Sequence, residues 1–364
     1  MKMFWIACLA VVLFGVLYLN LPLFGHLPDQ ISMTKIKASP NYRDGHFVNL
    51  HDTPLMTGDR GTFRTMYDFY FADHPNKKPE KPIPSIKTDL KSLPLDEDVL
   101  VWFGHSSYYI QLHGVRYLVD PVFSNNASPV PYNVVAFDGT NIYSADDMPE
   151  IDYLIITHDH YDHLDYDTIK KLRPKVKNII TGLGVGSHLR YWKYDNSLIH
   201  EMDWDETLPT NDGEIVCLTA RHFSGRSLFP NSTLWTSYLI NTPDYKIYLG
   251  GDSGYDDHYA TIAQKYGAVD LAILESGQYD KGWRYIHQSP AEVIRAAADL
   301  KTTKLLPVHN SKFSISNHPW FEPLDKVTEL GKNEDFSILT PKIGEIVRLR
   351  DKTQQFSPWW KAVE

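Results

Sequence analysis

The chain has 364 residues, 43% of them hydrophobic, which is ample for a packed core and too many for a disordered polymer. The formal net charge is −9 and no Lys/Arg block stands out, which excludes the electrostatic footprint of a nucleic-acid binder. Two cysteines, Cys8 and Cys217, exclude a disulfide framework and a Cys-rich zinc site, whereas 16 histidines leave imidazole ligation open.

The first element is an unbroken apolar run from Met3 to Leu19 that continues, with two interruptions, to Phe24. A helix of roughly 20 such residues spans a bilayer. Lys2 supplies a short positive flank, and Leu21-Pro22-Leu23-Phe24 is too bulky for a small-x-small cleavage site. Residues 1–24 are expected to form an uncleaved signal anchor, with the rest of the chain on the extracytoplasmic side. A cleaved signal peptide and a buried helix are the alternatives.

Residues 25–97 read as an extension rich in Pro, Asn, Asp and Lys. Its aromatic cluster, Met66, Tyr67, Phe69, Tyr70 and Phe71, is expected to pack this arm onto the main domain; the alternative is a lipid-facing entrance.

From Asp98 short β-rich runs take over. Strands are expected at Val99–Phe103, Tyr108–Leu112, Arg116–Val119, Ile151–Ile156, Glu214–Thr219, Leu234–Ile240, Lys246–Leu249, Leu271–Leu274, Lys304–Val308 and Phe336–Leu339. Helices are expected at Asp167–Leu172, His258–Tyr266 and Pro290–Leu300. The last has a strong start, with Ser289 as N-cap, Pro290 at the first helical position and Glu292 completing a capping box. Interspersed strands and helices without a long linker predict one layered α/β domain over 98–350, followed by a tail at 351–364. The tail sequence Phe356-Ser357-Pro358-Trp359-Trp360-Lys361 suits either a membrane interface or a packing patch.

The strand ending at Thr157 runs directly into His158, Asp159, His160, Tyr161, Asp162 and His163. Nitrogen and carboxylate donors in this density suit Zn²⁺, with Mn²⁺ or Fe²⁺ as alternatives. An irregular loop behind a rigid strand can aim positions i and i+2 at one ion and i+4 and i+5 at a second. Three further candidates each follow a strand: His222, Asp252 in Gly250-Gly251-Asp252-Ser253-Gly254, and His309.

The His-x-His-x-Asp-His loop followed by a distal His, Asp and His resembles the metallo-β-lactamase superfamily. Within it, the chain is most similar to the N-acyl-phosphatidylethanolamine phospholipase D family and its bacterial relatives. The narrower match rests on Trp102-Phe103-Gly104-His105-Ser106, Asp120-Pro121-Val122-Phe123-Ser124, Ala127-Ser128-Pro129, His222-Phe223-Ser224-Gly225-Arg226, Leu234-Trp235, the Gly250–Gly254 segment and His287 ahead of Pro290-Ala291-Glu292. The resemblance covers about residues 95–325. It implies an α/β fold, the αββα four-layer sandwich. It also implies His158, His160 and His222 on one metal, Asp162, His163 and His309 on the other, and Asp252 between the two. Asp120 would support the site from behind, and His287 would face a substrate phosphate or, alternatively, hold the helix start.

Two ions about 3.5–4 Å apart can share a hydroxide and lower its pKa toward neutrality. Asp162 and Asp252 would then orient the water and hold the pair. The reaction expected from the resemblance is phospholipase D-type hydrolysis of an N-acyl phosphatidylethanolamine-like lipid, with the phospholipid and the membrane as partners and no role for nucleic acid. A lactone hydrolase, a nuclease, a di-iron redox protein and a structural metal protein are the competing readings. The acidic net charge opposes the nuclease. His160 opposes the di-iron protein, since such relatives usually carry Glu there.

Overall fold

A computed structural model describes residues 1–363 apart from 59, 60, 62, 63, 65, 66, 69–71, 73 and 227. Met66, Phe69, Tyr70 and Phe71 of the expected aromatic cluster therefore lie outside the described residues.

The chain opens with α1 (Lys2–Leu19), followed by α2 (Gln30–Ile36) and a small hairpin of β1 (Tyr42–Arg43) and β2 (His46–Phe47). Helix α1 is long and apolar enough to cross a membrane, and none of its side chains is buried against the rest of the protein. From α2 onward the segment turns inward: Ile36, Phe47 and Ile83 all join the central core.

The first large sheet contains β3 (Val99–Trp102), β4 (Tyr108–Leu112), β5 (Val115–Val119), β6 (Ile151–Ile156), β7 (Val176–Gly182) and β8 (Ile199–Met202) in that spatial order. The second contains β9 (Thr207–Thr210), β10 (Gly213–Leu218), β11 (Ser237–Asn241), β12 (Lys246–Leu249), β13 (Leu271–Glu275), β14 (Lys304–Val308) and β15 (Ser337–Ile338). The final strand, β16 (Ile346–Arg348), returns to the first sheet and pairs antiparallel with β3. Each sheet is antiparallel at one end and parallel at the other, β5 to β8 in the first and β12 to β15 in the second.

Alternation of side chains along each strand divides the core into three layers. Leu100, Ile110 and Ile155 meet Ile215, Leu249 and Ile273 between the sheets. On the outer face of the first sheet, Leu154 and Ile156 pack on α3 (Tyr166–Leu172) and α4 (Gly186–Tyr191) through Ile169, Leu172 and Leu189. The outer face of the second sheet is covered by α5 (His258–Tyr266), α6 (Pro290–Asp299) and α7 (Glu322–Leu330) through Ile262, Val293 and Val327. This is the expected αββα sandwich. The capping box on α6 forms as read, the Glu292 carboxylate accepting from Ser289 N at 2.9 Å and Ser289 Oγ at 2.7 Å.

One expectation needs correction. The strand expected from Leu234 starts only at Ser237. Residues 234–236 instead cross to the first sheet, Leu234 N donating to Leu183 O at 2.8 Å and Thr236 N to Thr157 O at 3.0 Å. The β-branched and aromatic residue types are strand-like, but their backbone partners belong to loops. Of the two readings of the tail, the packing patch is the one its tryptophans fit: Trp359 and Trp360 are 4% and 2% exposed. Their indole nitrogens donate to Pro341 O at 3.2 Å and to the Asp325 carboxylate at 2.6 Å. Replacing Trp360 by Ala is expected to cost about 3–5 kcal/mol of stability, as truncation of a buried aromatic does. Chemical unfolding of the full chain would show this as a lower midpoint, while association with lipid vesicles stays unchanged.

Candidate metal centre

In both sheets the parallel strands run toward the same edge. Their carboxyl ends deliver Asp120 after β5, His158 after β6, Asp252 after β12, Glu275 at the end of β13 and His309 after β14. Ligand sites of open α/β sheets form at this edge because successive loops converge there. The Asp252 loop comes very close to the 158–163 loop. Gly251 has φ +59°, and a Cβ there would lie 2.9 Å from both Thr157 Cβ and Thr236 O. Only glycine fits that conformation and that approach without strain.

All seven residues expected as ligands come together. His158 Nε2, His160 Nδ1 and His222 Nε2 face one another, with His160 Nδ1 2.9 Å from His158 and 3.3 Å from His222. Asp162, His163 and His309 form a second group, which also includes His105. Asp252 lies between the groups: Oδ2 is 3.9 Å from His158 and 3.8 Å from His222, and Oδ1 is 3.2 Å from both His163 and His309. Asp120 lies behind the cluster. Its carboxylate accepts from Thr157 N at 2.9 Å and Thr157 Oγ1 at 2.6 Å, and it sits 2.8 Å from His163 Nδ1. His287 stands two residues ahead of the α6 N-cap, Ser289. Its Nδ1 lies 2.6 Å from the Glu275 carboxylate, and its ring lines the cavity above the cluster.

The residues present fit a pair of divalent ions. His163 Nε2 and Asp252 Oδ1 are buried without a hydrogen-bond partner, and three further ring nitrogens point at a common space. An unsatisfied buried polar atom costs about 1–3 kcal/mol, so such a cluster calls for a cation. Burial and neighbouring imidazoles hold His158, His222 and His309 well below the usual histidine range. Burial likewise takes His160 down to about 4. These rings are therefore neutral at pH 7, the form that ligates metal. Burial raises Asp252 to about 6, His163 only partly offsetting it. Burial also acts against ionised Asp162, but His163 and His105 outweigh it and hold its carboxyl far below the usual range.

Several contributors carry no sequence signal as strong as the histidine motif. His105 Nε2 lies 2.8 Å from Asp162 Oδ2 and orients that carboxylate. Glu275 lies one residue beyond its expected strand, although the rule that picked out Asp252 and His309, a polar residue closing an apolar strand, also applies to it. Asp159, inside the motif, points away from the cluster, toward Gly225 N, Thr233 Oγ1 and His188.

The cluster forms the floor of a cavity of about 530 Å³, walled by Leu55, Met56, Phe223, Trp283, Ile286 and Ile315 and by the Ala127–Pro129 loop. The foot of α1 touches that loop: Tyr18 Oη donates to Pro129 O at 2.7 Å.

The family model "Beta-lactamase superfamily domain" matches residues 115–310. An uncharacterised protein of Mycobacterium tuberculosis is 36% identical over 342 residues, covering 89% of this chain and 88% of that protein. The N-acyl-phosphatidylethanolamine-hydrolyzing phospholipase D 1 of Caenorhabditis elegans is 28% identical over 279 residues, 69% of this chain and 76% of that one. Among solved structures, the diiron β-hydroxylase CmlA of Streptomyces venezuelae superposes with a TM-score of 0.54 at 20% identity, over 70% of this chain and 55% of CmlA. Sandwich, ligand-bearing loops and sequence matches agree: the chain belongs to the metallo-β-lactamase superfamily.

Proposed function

We propose that the protein is a membrane-anchored binuclear metallo-hydrolase that cleaves the phosphodiester of N-acyl phosphatidylethanolamine-like lipids in phospholipase D fashion. The observation that carries this reading is the donor cluster at the floor of an apolar-walled cavity whose rim touches the apolar helix α1. The relationship to the nematode phospholipase D supports the substrate class. In this reading residues 1–24 anchor the chain, 25–97 brace the core, 98–350 form the catalytic domain on the extracytoplasmic side, and 351–364 close it.

His158, His160 and His222 would hold one ion, Asp162, His163 and His309 the other, and Asp252 both; Zn²⁺ suits this donor set, with Mn²⁺ or Fe²⁺ as alternatives. Bound there, such ions supply Lewis-acid polarisation of a phosphoryl oxygen and acidify water. The remaining chemistry falls to side chains. Water oxygen bonds to phosphorus and the bond to the N-acylethanolamine oxygen breaks, giving phosphatidic acid and an N-acylethanolamine. Asp162, oriented by His105, accepts a hydrogen bond from the attacking water and so aligns it, and the proton that the water loses passes to the leaving oxygen. With Nδ1 committed to Glu275, His287 offers Nε2 to a phosphate oxygen. The apolar walls take the lipid chains and exclude bulk water.

Purified full-length protein in mixed micelles should release phosphatidic acid from N-acyl phosphatidylethanolamine in proportion to its metal content, and His160→Ala should abolish this. No turnover on any phospholipid, together with good turnover on a lactone, would overturn the reading. For His287, His287→Gln is expected to lower kcat/KM on the lipid by about 10²–10⁴-fold, the usual range for a positioned proton-transfer or hydrogen-bonding group. Metal content should not change, as elemental analysis of the same sample would show.

A further inference from the structure

The stretch that follows α1 is bonded into the loop that carries the histidine motif. Arg226 is buried, 4% exposed, and its guanidinium joins the two. On one side Nη1 donates to Asp159 O at 2.9 Å and to Leu164 O at 2.6 Å, and so grips both ends of the loop bearing His160, Asp162 and His163. On the other side Nη2 and Nε donate to Leu23 O at 2.7 and 3.1 Å. The guanidinium also lies over the Tyr161 ring at 4.1 Å and the Trp192 ring at 5.3 Å, and Trp192 Nε1 donates to Pro22 O at 2.8 Å. Tyr161 Oη closes the loop by donating to Arg226 O at 2.6 Å.

A second line runs parallel to the first. His26 N donates to His188 Nδ1 at 2.9 Å, and His188 Nε2 lies 3.3 Å from the Asp159 carboxylate. Asp159 stands between His158 and His160 in sequence, and its other oxygen accepts from Gly225 N at 2.8 Å, three residues beyond His222. Gly25 makes this close fit feasible: a Cβ there would sit 2.1 Å from His188 Nδ1, at φ +72°.

We propose that Arg226 and His188 are positioning residues that tether the metal-bearing loop to the Pro22–His26 segment, so that the foot of the apolar helix is a working part of the metal centre. The inference rests on the reading of that loop as a metal site. Among the described residues, Arg226 is the side chain that bonds backbone carbonyls at both ends of the loop. A guanidinium makes such a planar, multi-point bond and an ammonium cannot. Residues that fix ligand-bearing groups from behind typically govern metal affinity or activity by about 10–100-fold.

The test uses the full-length chain in micelles with four substitutions: Arg226→Lys, His188→Gln, Gly25→Ala and Gly15→Ala. Zinc affinity is read by chelator competition, kcat and KM by hydrolysis of the soluble diester bis(p-nitrophenyl) phosphate, and integrity by melting of the metal-free protein. Gly25→Ala touches neither the loop nor the cavity, yet it should weaken zinc binding about 10-fold or more and lower kcat with little change in KM. Arg226→Lys should do the same despite keeping the charge, and His188→Gln should act in the same direction. Gly15→Ala, in α1 where nothing lies within 4 Å, should match the parent. The tether is overturned if Gly25→Ala and Arg226→Lys bind zinc within about twofold of the parent. It is equally overturned if their affinity falls only together with loss of the metal-free protein's cooperative melt, because that marks a packing defect. If the parent binds no zinc, manganese or iron, the metal reading itself fails and the tether with it.

Discussion

One buried carboxylate joins the parts of this structure that have to agree. Asp120 ends β5, and its two oxygens take the amide and hydroxyl of Thr157 at the end of β6 and face His163 beyond it. Adjacent parallel strands bring the two ends side by side, but pairing alone does not set where the following loop begins. The carboxylate does so by meeting three donor positions at once. Asp120 itself holds φ +40°, a conformation that costs an L-residue energy and persists only when its surroundings over-determine it. His105 (φ +51°) and His309 (φ +65°), both at the cluster, hold the same region of backbone space.

The sandwich is what makes such a cluster tenable. Interleaved apolar side chains between the sheets fix the strand ends as a rigid edge. Along that edge the electrostatics follow from burial. Burial keeps His158, His160, His222 and His309 neutral, whereas at His163 the carboxylates of Asp252, Asp162 and Asp120 outweigh burial and favour the charged ring. Charge is thereby confined to a small region of low dielectric, where each interaction is stronger than in water. The same argument explains why the flanking supports are polar and saturated: Asp159, Arg226 and Glu275 are buried, and each finds several partners.

Much of this was readable in the residues, for identifiable reasons. Fully buried central strands such as Tyr108–Leu112, Ile151–Ile156 and Lys304–Val308 are apolar runs with sharp ends, and they stand where the residue pattern puts them. The loops carrying the histidine motif, His222, Asp252 and His309 sit directly behind such strands. Strands β8, β9 and β16, at sheet edges, carried no comparable signal, and neither did the central β7, where Lys177 and Asn178 interrupt the apolar run. Thr207–Thr210 contains a proline and alternates between exposed and half-buried, so its pairing is set by backbone and neighbour. Segment 234–236 misled for the opposite reason, since strand-forming residues are used there to bridge two sheets. His105, Asp159 and Arg226 have roles that depend on contacts between residues far apart in sequence, which no local pattern encodes.

The pairing of β16 with β3 sets the order in which the molecule is completed. Val347 lies opposite Leu100, so the first sheet gains its last strand from the far end of the chain. A polypeptide emerges from the ribosome amino end first, and contacts this remote in sequence close late. Helix α1 is therefore available to a membrane long before β3 acquires its neighbour. In that interval Leu100 and Trp102 await a covering, beside an edge strand with unpaired backbone groups. The first sheet is closed only when the last strand has been made, so its β3 edge stays open through most of the chain's synthesis.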